Sequence, residues 1–220
     1  MRKLIVLTLL VLVMAPALGV ADVYYLTESN ALPDGVIYGT VTLTQGDAYT
    51  VNFQVDMSTP PLTAGTNFGI QSFGFNTSLL DPVTTGSPSS RTPTSYFEFA
   101  GSSDWDFRYN RNSSEFGNFE LFYTGPGDRQ DPLLFSLQYN PGDGPMAISI
   151  ADFYVANVEG YHFVAHVADF TYPNSSVNSA WFADGNGNGN TPIPEPGTLM
   201  LLGAGLVGIA GLGRRRLRSS

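Results

Sequence analysis

The chain has 220 residues, no cysteine and a formal net charge of −9. The missing cysteines exclude disulfides, iron–sulfur clusters and a thiol nucleophile. Residues 22–190 hold four arginines, no lysine and 18 carboxylates, and this acidic stretch argues against nucleic acid as a partner because phosphate would be repelled. Abundant glycine, proline, phenylalanine and tyrosine indicate a β protein rich in turns.

The N-terminus has the pattern of a secretory signal peptide. A basic start at Arg2 and Lys3 precedes an apolar run over residues 4–13, and small residues follow at 19–21. The pattern predicts a signal helix over residues 1–21, with cleavage after Ala21 and with Ala17 as the second choice. The alternative is an uncleaved membrane anchor.

Residues 22–183 predict an ectodomain made of short strands. The clearest is 49–56, where Val51, Phe53 and Val55 alternate with Asn52 and Gln54, as expected for a half-buried strand. The other candidate strands are residues 36–43, 68–76, 96–100, 105–109, 116–123, 133–139, 146–155, 161–170 and 179–183. About ten strands at this spacing favour an all-β fold, an antiparallel β-sandwich of the jelly-roll or cohesin-like type.

The C-terminus predicts a spacer followed by a membrane segment. Residues 184–193 are rich in Gly and Asn, a composition typical of a solvated linker. Residues 196–213 carry no charge and as a helix would reach about 27 Å, near the lower limit for a transmembrane helix. Four arginines follow and predict retention on the cytoplasmic side: Arg214, Arg215, Arg216 and Arg218. The alternative is an ordinary single-pass anchor.

The order of motif, glycine-rich apolar span and arginine cluster over residues 194–218 resembles the PEP-CTERM sorting signal of Gram-negative bacteria. The residues that match its core are Pro194, Glu195, Pro196 and Gly197. The resemblance implies recognition by an exosortase, transient anchoring in the inner membrane, and then release or transfer to the cell surface or extracellular matrix. It also implies an organism that makes exopolysaccharide and biofilm.

The ectodomain itself shows only short resemblances. Residues 46–56 followed by 71–81 are similar to the first strands of cohesin-like or carbohydrate-binding-like sandwiches. The segments 163–167 and 179–182 are similar to parts of many PEP-CTERM ectodomains. These resemblances support the predicted fold.

Two metal patterns have competing explanations. Residues from Asp184 to Glu195 satisfy the EF-hand spacing, but prolines oppose the exit helix and Glu195 belongs to the sorting motif. We therefore expect no cofactor, with Ca²⁺ as the alternative. His162 and His166 lack the HExxH motif, and on a strand they lie too far apart to bind zinc together, so we expect no metal site.

Catalysis and ligand binding have weaker signals. No nucleophile-elbow motif occurs, and a carboxylate pair such as Asp104 and Asp106 is common in an acidic chain, so we expect no enzyme. Trp105, Tyr109 and Trp181 are candidates for stacking on sugar rings, with core packing as the alternative. The sequence thus predicts a structural or adhesive surface protein. The alternatives are a module binding carbohydrate or protein and, less favoured, a secreted hydrolase.

Overall fold

Ten antiparallel strands form one continuous sheet in the computed structural model, which describes residues 21–58, 60–79, 97–100, 105–125, 127, 129–140 and 144–185. The strands are β1 (Ala21–Ser29), β2 (Gly39–Asp47), β3 (Thr50–Met57), β4 (Thr63–Phe75), β5 (Phe97–Ala100), β6 (Asp106–Asn112), β7 (Asn118–Thr124), β8 (Leu133–Tyr139), β9 (Phe163–Thr171) and β10 (Ser179–Asp184). Their order across the sheet is β5-β8-β3-β2-β1-β10-β9-β4-β7-β6. The prediction of an all-β, antiparallel protein is confirmed.

Alternating side chains build the core on one face of this sheet. In β3, Val51, Phe53 and Val55 are buried, whereas Asn52 and Gln54 lie on the other face. The same alternation in β2 and β8 sends every second side chain inward, since neighbouring residues of a strand point to opposite faces. One face of the sheet is therefore continuously apolar.

The sheet curls so that its two halves face each other. Strands β7 and β8 lie far apart in the order, yet the rings of Tyr123 and Phe135 have centroids 4.9 Å apart. Phe53 on β3 likewise lies 6.4 Å from Phe73 on β4. The core thus lies between two halves of one hydrogen-bonded sheet.

A smaller apolar cluster covers the outer face of the sheet near β7, β9 and β10. Its buried members are Phe116, Phe119, Phe122, Val164 and Ala183. Tyr161 and Trp181 pack against it and are partly buried. This second cluster explains why strand β9 is apolar on both faces.

One predicted strand is wrong and one observed strand was not predicted. Residues 146–155 form a 3₁₀ turn at Ile150–Phe153 instead of a strand. The Ser149 amide donates to the Asp152 carboxylate at 2.8 Å, and this capping box bends the chain. Strand β1 lies at the centre of the sheet, between β2 and β10, but has apolar residues on both faces and begins next to the signal pattern.

Both ends of the folded domain leave from the same end of the sheet. Strands β1 and β10 are antiparallel partners, with Leu26 opposite Asp184 and Ser29 opposite Phe182. The start of β1 and the end of β10 therefore point the same way. We call this the terminal end of the sheet, and the opposite end, where β1 runs into the 30–38 loop, the far end.

Several predicted segments lie outside the described residues. They are the signal helix up to residue 20, the spacer from residue 186, the sorting signal and the C-terminal helix. Within the part of the chain that is described, no helix is long and apolar enough to span a membrane. Ala21, the predicted cleavage site, is the first residue of β1 and pairs with Thr44.

Candidate functional site

A shallow groove lies on the outer face of strands β2, β3 and β8. It has a volume of about 370 Å³, and its lining is Thr42, Thr44, Asn52, Phe53, Gln54, Leu134, Phe135 and Ser136. The polar side chains come from outward positions of the three strands, where alternation places them beside one another. Thr42 stands opposite Gln54, Thr44 opposite Asn52, and Asn52 opposite Ser136. The groove is thus a direct product of strand register.

The groove offers hydrogen-bonding groups without charge. The Ser136 hydroxyl donates to Asn52 Oδ1 at 2.7 Å. The amide nitrogen of Asn52 is a donor that takes no part in this hydrogen bond. At the rim, Gln54 Nε2 donates to the Asp56 carboxylate at 2.7 Å. Leu134 is half exposed beside these groups and adds an apolar contact. Hydroxyls and amides beside an apolar surface suit a neutral ligand rich in hydroxyl groups.

The groove residues were not singled out from the sequence, although part of the signal was visible. The alternation in residues 49–56 places Asn52 and Gln54 on the outer face. Which strands lie beside β3 could not be read from that pattern. The pairing with β8 joins Asn52 to Ser136, and these residues are 84 positions apart in the chain.

The three predicted ligand aromatics do not form one platform. Trp105 is only 6% exposed and packs against Tyr123 in the main core, with ring centroids 4.8 Å apart. Gly125 contacts the same indole so closely that a Cβ there would lie 2.6 Å from Trp105 Cε2. Core packing, the alternative reading, therefore describes Trp105. For Tyr109 only the backbone, within β6, is described.

Trp181 lies on the opposite face of the sheet from Trp105. Its indole stacks on the His166 ring at 4.6 Å with an interplanar angle of 27°. It also contacts the edge of Phe122 at 6.1 Å. Trp181 is half-buried in this arrangement, so part of its surface faces solvent.

His166 and Ser179 form a hydrogen-bonded pair beside Trp181. His166 Nε2 lies 2.9 Å from Ser179 Oγ. Burial, and secondarily the charge of Arg129, lower the pKa of His166, which favours the neutral imidazole. A serine nucleophile would further need a carboxylate that orients this imidazole. Among the described residues, the carboxylate that meets a histidine ring belongs to Asp184, and it meets His162 instead.

Asp184 closes strand β10 as a buried carboxylate. It accepts hydrogen bonds from the amides of His162 and Phe163, each at 2.8 Å. His162 Nδ1 lies 2.8 Å from its second oxygen, and the imidazole packs against Tyr24 with centroids 5.5 Å apart. His162 and His166 therefore have separate partners. No cluster of three potential metal-ligating side chains occurs in the described ranges.

Asp184, the first position of the EF-hand spacing, is engaged by contacts within the fold. Asp184 would open the EF-hand spacing, but it is completely buried and accepts three polar contacts within the fold. A calcium ion bound there would have to displace those hydrogen bonds. The remaining positions of that spacing lie outside the described residues.

Fold and composition thus define an acidic, all-β domain whose two ends leave from one end of its sheet. The C-terminal segment matches a family model described as the PEP-CTERM protein-sorting motif, over residues 192–216. The chain thus carries a PEP-CTERM sorting motif, which implies an exported protein that is sorted through an exosortase, processed at the membrane and delivered to the cell surface. Neither the curated proteins nor the solved structures give a match.

Proposed function

We propose that this is a surface or extracellular-matrix protein of a Gram-negative bacterium, with a structural or adhesive role in exopolysaccharide or biofilm. The sorting motif at residues 192–216 carries the proposal, because it directs the protein to an exosortase. In this account the apolar tail anchors the protein transiently in the inner membrane. Its arginines hold it there until the exosortase acts.

The folded domain is suited to act after export, when the segments that flank it have been removed. Strands β1 and β10 are the central pair of the sheet, so removal of either flanking segment leaves all ten strands in place. The domain needs no disulfide, because a ten-stranded sheet curled over an apolar core supplies the burial that stabilises it. We propose that it has no enzymatic activity and no cofactor.

The groove on β2, β3 and β8 favours a second candidate, carbohydrate binding. Its uncharged hydroxyl and amide groups match the donors and acceptors of a neutral polysaccharide, and Leu134 offers an apolar contact to the faces of sugar rings. Its open shape fits a chain that passes along a surface. The strongly acidic domain would repel an anionic polysaccharide.

A pull-down with matrix polysaccharide from the host tests this candidate. We expect the released protein to bind in a saturable manner and the double variant Asn52→Ala, Gln54→Ala to lose about tenfold in affinity, because truncated hydrogen-bonding groups leave the ligand unpaired. The control is Asn112→Ala, Asn118→Ala, an exposed polar pair on β6 and β7. Equal binding by both variants would reject the groove as the binding site.

A further inference from the structure

Exposed apolar side chains are concentrated at the terminal end of the sheet. Among the described residues, six large hydrophobic side chains are exposed: Ile37 at 47%, Tyr49 at 44%, Leu134 at 52%, Met146 at 53%, Tyr154 at 43% and Val158 at 99%. Single exposed hydrophobic residues are ordinary on a protein surface. Here their distribution indicates an interaction surface, because four of the six lie where the domain's two ends emerge.

Strand register places Tyr49 and Met146 at the terminal end. Tyr49 lies in the turn between β2 and β3, and the end of β2 pairs with the start of β1 through Thr44 and Ala21. Met146 is held beside the end of β8, where its amide donates to the Tyr139 carbonyl at 2.9 Å.

Tyr154 and Val158 lie at the same end on the segment that leads into β9. The Tyr154 hydroxyl donates to the carboxylate of Asp22, the second residue of β1. Val158 lies in a turn closed by a 2.8 Å hydrogen bond from the Asn157 amide to the Tyr161 carbonyl. Asn157 Nδ2 also donates to the Phe116 carbonyl at 2.7 Å, so this turn is tied to the rest of the domain.

The charges around these side chains are mainly negative. Asp47, Asp152 and Glu159 lie in the turns of the terminal end. An acidic surface is repelled by anionic lipid headgroups and attracted by lysine or arginine side chains. A basic protein surface therefore complements this end better than a membrane does.

Chain length brings the sorting enzyme close to this surface. Asp184 ends β10, and Pro194 opens the sorting motif ten residues later. Ten residues span at most about 36 Å even when fully extended. An enzyme that acts near the motif therefore works within that distance of the terminal end.

We propose that the terminal end is a docking surface for the exosortase itself, received by an apolar patch bordered by lysine or arginine on the enzyme's outward face. The inference rests on the proposed sorting function and adds a partner surface to it. Docking would hold the motif near the active site and raise its effective concentration there. The folded domain then contributes to its own processing.

Processing of the full-length protein in host cells tests the proposal. The triple variant Tyr49→Ser, Met146→Ser, Val158→Ser should be processed about tenfold more slowly, since truncated interface anchors commonly cost that much affinity. The control is Ile37→Ser, which changes an exposed hydrophobic residue at the far end of the sheet. It should be processed at the normal rate. The single variant Val158→Ser keeps the test valid if the triple variant misfolds.

A second pair of variants separates the failure of docking from the failure of sorting. Pro194→Ala, Glu195→Ala should abolish processing, and normal processing of that variant would overturn the sorting function itself. If it abolishes processing while the triple variant behaves like the control, only docking is overturned. Docking on the enzyme would also be overturned if the released protein bound phosphatidylglycerol–phosphatidylethanolamine vesicles and the triple variant did not, because the partner would then be the membrane.

Discussion

Glu120 is a carboxylate that folding places in a partly buried position near the start of β7. Burial raises the pKa of Glu120 above its usual value of 4.5, and a hydrogen bond from the Thr77 amide at 3.2 Å opposes that rise. The folded protein therefore holds this proton to a higher pH than the unfolded chain does. The stability it contributes is present below pH 4.5 and is lost as the pH rises through the folded-state pKa.

Replacing this group should flatten the pH dependence of stability. Glu120→Gln keeps an oxygen acceptor for Thr77 but cannot ionise, so we expect the variant to lose less unfolding free energy than the wild type between pH 4.5 and neutrality. Urea unfolding across that range measures the difference. Glu115→Gln, an exposed glutamate nearby in the chain, is the control. Parallel curves for Glu120→Gln and the wild type would contradict this account.

Individual side chains were the hardest feature to predict from the sequence. The residues that follow Asp184 have the composition of a linker, which predicts that Asp184 belongs to the spacer, yet it is buried at the end of β10. Its partners, His162 and Phe163, lie more than 20 residues earlier in the chain, at separations of 22 and 21. The burial of Trp105 was hard to predict for the same reason, because the ring that packs against it, Tyr123, lies on β7. Contacts of this kind depend on topology.

At the scale of elements, one glutamine explains why residues 146–155 do not join the sheet. Gln45 Nε2 donates to the carbonyls of Asp47 at 2.6 Å and Ile148 at 2.9 Å. Gln45 Oε1 accepts from the Ile150 amide at 3.3 Å. The side chain thus satisfies backbone groups that a strand partner would otherwise bind. Ile148 and Ile150 can then bury their side chains without strand pairing.

Removing that side chain should loosen the segment it holds. We expect Gln45→Ala to lower the free energy of unfolding by about 1–3 kcal/mol, because backbone groups lose their partners. Amide hydrogen exchange should increase at Ile150. The control is Gln54→Ala, a glutamine on the outer face of β3. If both variants lost equal stability and left the Ile150 amide equally protected, the hydrogen bonds of Gln45 would not be what holds this segment in place.

The strands themselves were largely predictable because alternation is a local property. Residues 49–56 alternate clearly and correspond to β3, and the largely apolar run 133–139 corresponds to β8. Strand β1 escaped prediction because Tyr24 and Leu26 face the core while Val23 and Tyr25 cover the other face, which removes the alternation. The curled single sheet could not be predicted, since it depends on which distant strands pair.

At the scale of the whole molecule, the sequence identifies the sorting motif and the fold shows where the two ends of the domain emerge. The sorting motif was predictable because its signal is linear, and the family match over residues 192–216 confirms the motif. The fold adds that both ends of the domain leave together, through the pairing of β1 with β10. Cleavage at either end therefore leaves all ten strands in the sheet, although a cut after Ala21 shortens β1 by that residue.

The most direct test is the C-terminal peptide of the mature protein, identified by mass spectrometry in cells with and without the exosortase. With the enzyme, we expect the mature chain to end near Pro194–Gly197 and to lack the apolar span and the arginines. Without it, the tail should remain attached. A chain that still ends at Ser220 in both strains would contradict the account.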